Sequence, residues 1–314
     1  MDFTKKFNVG LTLETSAREF DRFLDEYHPF IHSVYFSPPL GGRYHTRSRV
    51  ALEFLLPGKR RLFLHMLERM RAYGIELELL FNTLRIDKEM VTAAHTYLSE
   101  RDLLPDSVCY LLPYEADVVR VFPDQKRILS FNNGFLSPRE IDRVLDGCER
   151  TDAIVLGSLF IRNNRFFSHL SARGVSPYLL LNNACSFNCA TCNNTASVCE
   201  AAFRKNLAHH SVEYLYALQS IFPEELTDGT IDTGKVALFK ISNRSSSLGF
   251  LRDALDSYMT GEMQHYIQKD RKNLALWGRA GYFWPYFKKM DMGRVFAYKA
   301  EILARKKSRE HADA

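Results

Sequence analysis

No run of about 18 apolar residues occurs in this 314-residue chain, so no transmembrane helix is expected. The amino terminus, MDFTKKFNVG, is charged and lacks an apolar stretch before a cleavage site, so no secretory leader is read there. An excess of one charge is missing too. Lys and Arg together number 42 against 37 acidic residues, a net charge of +5. That balance permits an anionic substrate or RNA and argues for neither. There is no P-loop, no G-x-G-x-x-G fingerprint, no G-x-S-x-G elbow and no H-E-x-x-H. Hydrolase chemistry of the kinds those motifs serve therefore has no visible nucleophile or metal. No internal repeat and no low-complexity linker divides the chain. The expected compartment is the cytoplasm, where thiols stay reduced.

What is present is an alternation. Short apolar runs rich in β-branched and aromatic residues are followed by amphipathic stretches. Strands are predicted at Phe7–Leu13, Ile31–Ser37, Ile75–Thr83, Ser107–Leu112, Arg127–Asn132, Asp152–Ser158, Pro177–Asn183 and Lys235–Ser242. Helices are predicted at Ala17–Tyr27, Arg60–Tyr73, Lys88–Glu100, Pro138–Leu145, Asn164–Ala172, Val212–Ile221 and Leu248–Met259. Ser16 is placed to cap the first of these, and Ser137 with Glu140 forms a capping-box pattern ahead of the fourth. Eight βα repeats imply an α/β fold, a TIM-like (β/α)8 barrel with a C-terminal helical extension. The expected division is a barrel domain over 1–262, with a cysteine loop at 184–199, and an extension and tail over 263–314. Trp277, Tyr282, Phe283, Trp284, Tyr286 and Phe287 are expected to pack the extension on the barrel, and the tail ARKKSREHADA to be frayed.

Four of the six cysteines fall between Cys185 and Cys199. They follow the seventh strand, on the face of a βα barrel where active sites lie. Thiolates are soft ligands suited to iron–sulfur or zinc centres, and a compact loop can wrap such a core. The metal ligands are expected to be Cys185, Cys189, Cys192 and Cys199, and the centre a 4Fe-4S cluster, with structural zinc as the alternative. An open fourth iron site is compatible with the same spacing. Cys109 and Cys148 fall toward the opposite face and read as buried small hydrophobes.

The spacing Cys185-x3-Cys189-x2-Cys192 resembles that of radical S-adenosylmethionine enzymes. That resemblance implies a three-thiolate 4Fe-4S cluster whose open iron holds S-adenosylmethionine. The family carries the motif after its first barrel strand, whereas here seven predicted strands precede it. A second resemblance covers roughly residues 7 to 260. His32-Ser-Val-Tyr35-Phe-Ser, Leu181-Asn-Asn-Ala-Cys185 and Lys240-Ile241-Ser-Asn-Arg244 resemble segments of the peptidase U-32 barrel proteins. Those barrels bring cysteines to a 4Fe-4S cluster late in the fold. Asn243 stands where the family has glycine, and its cysteines are usually more scattered. Despite the family name, this resemblance implies redox or oxygen-independent hydroxylation chemistry, on RNA bases or quinone precursors among known relatives.

Polar residues at strand ends complete the expected site. Lys240 and Arg244 could clamp a carboxylate or phosphate. Asn82, Asn132 and Asn183 could orient a polar substrate, and Asn182 and Arg162 could contact the cofactor. Asn is also a common turn former, and Arg162 with Asn163 carries the same ambiguity. The loop holding Arg43, Tyr44, His45, Arg47 and Arg49 reads as an anion or nucleic-acid contact, or as a solvated charge run. His209 and His210 read as helix-cap or surface residues. The expected partners are a small-molecule or RNA substrate and an electron donor. No membrane contact is expected, and a homo- or hetero-oligomer is compatible with the chain. A zinc-stapled barrel that binds RNA or protein without catalysis is the non-enzymatic alternative.

Overall fold

The fold is taken from a computed structural model, which describes residues 2–38, 57–82, 86–157, 160–181, 205, 207–241, 247–261 and 290–312. Eight parallel strands close into a barrel in chain order. They are β1 (Phe7–Gly10), β2 (Ile31–Phe36), β3 (Glu76–Phe81), β4 (Ser107–Tyr110), β5 (Lys126–Leu129), β6 (Ala153–Leu156), β7 (Ser176–Leu180) and β8 (Leu238–Ile241). The closing pair sets Phe7, Asn8 and Val9 opposite Phe239, Lys240 and Ile241. The TIM-like barrel expected from the βα alternation is therefore the fold.

The helices are α1 (Ala17–Tyr27), α2 (Pro57–Ala72), α3 (Lys88–Ser99), α4 (Glu115–Val121), α5 (Pro138–Gly147), α6 (Asn164–Ala172), α7 (Val212–Gln219), α8 (Pro223–Thr227), α9 (Leu248–Thr260) and α10 (Met292–Ala312). Local chemistry explains several boundaries. Ser16 Oγ accepts the Glu19 N–H at 3.3 Å and Glu19 Oε2 accepts the Ser16 N–H at 3.0 Å, a complete capping box. At α5 only half of the expected box forms. Ser137 Oγ accepts the Glu140 N–H, but the Glu140 carboxylate reaches the Leu136 N–H instead, at 2.8 Å. Helices α2 and α6 stop where Gly74 and Gly174 take φ of +65° and +77°. There the N–H groups of Ile75 and Val175 close back on the carbonyls of Met70 and Leu170, as in a Schellman stop.

Alternation along each strand sorts side chains into two cores. Val9, Val34, Leu77, Val108, Leu129 and Phe239 point outward to the helices. Tyr35, Leu80, Cys109, Ile128, Val155 and Leu180 fill the barrel interior. Helix α10 packs on α7 and continues to Ala312, so the tail expected to fray is helical. The aromatic segment from Trp277 to Phe287 lies outside the described residues. No described helix is long and apolar enough to cross a membrane.

Candidate functional site

Polar residues on the inward parity of four adjacent strands meet inside the barrel. Strand register places Asn8 of β1 beside Ser33 of β2 and Lys240 of β8, and Tyr35 of β2 beside Glu78 of β3. Both faces of a barrel strand are covered, so a glutamate in the middle of β3 must find a cation or become protonated. It finds Lys240, whose ammonium contacts Glu78 Oε1. The other carboxylate oxygen accepts from Asn8 Nδ2 at 2.7 Å, and the same amide donates to Ser33 Oγ at 2.5 Å. The Lys240 ammonium also lies 4.2 Å from the centroid of the Tyr35 ring, a cation–π contact. Tyr35 is fixed in turn by donating its hydroxyl to the Ile241 carbonyl at 2.6 Å. The Glu78 side chain is 1% exposed and that of Lys240 is 8% exposed. One carboxylate and one ammonium make the cluster charge-balanced. Burial, followed by the Glu78 charge, pushes the Tyr178 phenol up, so this interior hydroxyl stays protonated at neutral pH.

The Lys240 ammonium and the Glu78 carboxylate are the charged groups this cluster brings into the barrel interior. Asn8 Oδ1 is buried without a hydrogen-bond partner. Of the expected site residues, Lys240 thus lies at the centre of the cluster. Asn82 follows β3 directly, and its carbonyl accepts from Asn132 Nδ2 at 2.9 Å across the end of β4. The Oδ1 atoms of both asparagines are buried and without a hydrogen-bond partner. Nothing in the sequence singled out Asn8, Ser33 or Glu78. The available signal was parity, since Glu78 and Lys240 both fall on the inward side of strands that closure brings into one interior.

Arg162 lies elsewhere, in the β6–α6 loop. Its Nε and Nη2 donate to Glu225 at 2.5 and 3.0 Å. Its other bonds go to the carbonyls of Leu218 and Ser220, each at 2.7 Å. Lys299 of α10 contacts the same carboxylate. Arg162, expected beside a cofactor, has its guanidinium bonded within a buried ion triad with Glu225 and Lys299. Burial alone would raise the Glu225 carboxyl, but Arg162 and Lys299 together hold it below its ordinary range.

Cys185, Cys189, Cys192, Cys199, Asn182, Asn183 and Arg244 lie outside the described residues, as does the basic loop from Arg43 to Arg49. Among the described residues no group of three His, Cys, Asp or Glu side chains could hold a metal. Cys109 is buried inside the barrel, and Cys148 ends α5 with its thiol pushed up to about 11, mainly by burial and then by Glu115. Neither is disulfide-bonded. His209 and His210 are exposed, and His210 stacks on Tyr214 with ring centroids 4.8 Å apart.

No protein-family model and no curated protein matches the chain. Solved structures with a similar course include a U32 peptidase, 14% identical over 79% of this chain and 96% of its own, with a TM-score of 0.43. An aldo-keto reductase from Bacillus halodurans in its holo form is 14% identical over 85% of this chain and 92% of its own, at a TM-score of 0.41. A β-1,4-mannanase is 10% identical over 78% and 89%, also at 0.41. These likenesses describe the barrel and nothing finer.

Proposed function

We propose that the chain is a barrel enzyme that works at the C-terminal mouth around a 4Fe-4S cluster held by Cys185, Cys189, Cys192 and Cys199. The observation that supports this is where β7 delivers the chain. Leu180 pairs with Lys240, and the Leu181 N–H bonds the Lys240 carbonyl at 2.9 Å. Cys185 is four residues further on in sequence, so the cysteine segment departs from the strand end that adjoins the interior cation. The thiolate set fits a soft-metal centre by its chemistry. A cluster there would supply one-electron transfer.

The chain's own residues would do the rest. Lys240 would hold an anionic part of the substrate or move a proton, with Glu78 as its acceptor and Asn8 keeping that carboxylate in place. Asn82 and Asn183 would orient polar groups at the rim, with Arg244 as a second cation and Asn182 beside the cluster. The substrate class that suits these groups is a small anionic molecule or RNA, and an electron donor is required. The U-32 resemblance favours oxygen-independent hydroxylation within this reading.

Anaerobic purification should yield a brown protein with about four irons and matching sulfide per chain. A colourless, zinc-loaded protein would overturn the reading in favour of a zinc-stapled binding barrel. Cys199→Ala separates the cluster types. The four-thiolate assignment predicts loss of the cluster, whereas retention together with cleavage of S-adenosylmethionine would point to the three-thiolate radical class.

A further inference from the structure

The cysteine segment is an excursion whose two ends are both fixed in the described structure. At its start, Leu181 is bonded to β8. At its far side, the Ile221 N–H bonds the Leu181 carbonyl at 3.0 Å, closing the base of the excursion. Between them stands α7, the last element the chain enters before returning to that base. Its final turn carries carbonyls that have no partner within the helix. Two cations from distant elements take them. Lys299 Nζ donates to Ala217 O at 3.3 Å and to Ser220 O at 2.8 Å. Arg162 takes Leu218 O and a share of Ser220 O. Positive charge at a helix C-terminus is favourable in itself. Glu225 joins the two cations and also accepts the Phe222 N–H at 2.8 Å. The other end of α7 is tied as well, because Glu213 Oε1 accepts the Asp291 N–H at 3.2 Å just before α10.

We propose that α10 is a clasp that positions the far stem of the cysteine segment, with Lys299, Glu225 and Arg162 as its positioning residues. Its consequence for the metal rests on the cluster reading above, but its geometry does not. A loop whose ends are held in place loses less conformational entropy when its thiolates converge on an ion or cluster. Removing the clasp should therefore loosen α7 and hasten loss of the metal while leaving the barrel strands intact.

The test uses the full chain, anaerobically loaded with iron and sulfide, and compares wild type with Lys299→Met and Glu225→Gln. Hydrogen exchange is followed in 207–221 and in the strands, and iron release is followed with a chelator. Lys299→Met is the milder change and carries the result should Glu225→Gln fail to fold. The expected outcome is exchange in α7 faster by about tenfold or more, strands unchanged, and iron released faster by a similar factor. Unchanged exchange in α7 overturns the clasp. A loosened α7 with unchanged iron release overturns its role in positioning the cysteines. A wild-type chain that binds no metal overturns the cluster reading and, with it, that role. Exchange in α7 then still decides whether the clasp exists.

Discussion

Two of the buried carboxylates, Glu78 and Glu225, are paired with buried basic side chains, and their surroundings differ in charge. Glu78, inside the barrel, faces one ammonium, one amide and an aromatic ring, and its cluster is neutral. Glu225, outside the barrel, faces an arginine and a lysine, and its side chain is completely buried. The first cluster lies on strands whose register is set by barrel closure. The second joins a loop, two short helices and the C-terminal helix, none of which a sheet holds in place. The comparison teaches that one chemical device serves two ends here. The interior carboxylate is balanced by one ammonium, whereas the exterior carboxylate sits between two basic groups.

The contrast can be broken first at Glu225. Glu225→Gln leaves the buried Arg162 and Lys299 without their carboxylate, and a loss toward the upper end of about 3–5 kcal/mol is expected in denaturant unfolding. Glu78→Gln strands a single ammonium, so the loss should fall toward the lower end of that range. Glu78→Gln combined with Lys240→Met should recover most of it, because the uncompensated charge is gone. A double mutant no more stable than Glu78→Gln alone would contradict the neutral-pair description.

A pH series sharpens the difference. Burial, then Arg162, pushes Lys299 down to about 7 against the pull of Glu225, while its unfolded value is near 10.5. Between those values the unfolded chain binds the additional proton, so this group makes stability rise with pH, by at most about 1.4 kcal/mol per unit. Below about 7 its contribution is flat and unfavourable. Lys299→Met should remove that slope, and an unchanged profile would contradict the assignment. The smallest effect is expected far from both clusters. Ser16→Ala removes the α1 cap and should cost about 1 kcal/mol without altering either carboxylate's behaviour.

Much of the fold was legible because it is local. Alternation located all eight strands, and Ser16 and Ser137 cap the helices that follow them. Helix α4 was missed because its seven residues, EADVVRV, are too few to show a helical period. Helix α8 is shorter still. The interior cluster was half legible: Lys240 stood out at a strand end, but Glu78 required combining strand parity with barrel closure. The triad was not legible at all. Arg162, Glu225 and Lys299 are distant in sequence, and only tertiary packing brings them together.

The most direct test of the central claim is anomalous diffraction at the iron edge from crystals of anaerobically prepared protein. The account predicts a strong iron peak at the C-terminal mouth, on the β7–β8 side near Lys240 and bounded by sulfurs of the Cys185–Cys199 segment. A peak at any other place, or none in protein that retains its full cysteine complement, would contradict it.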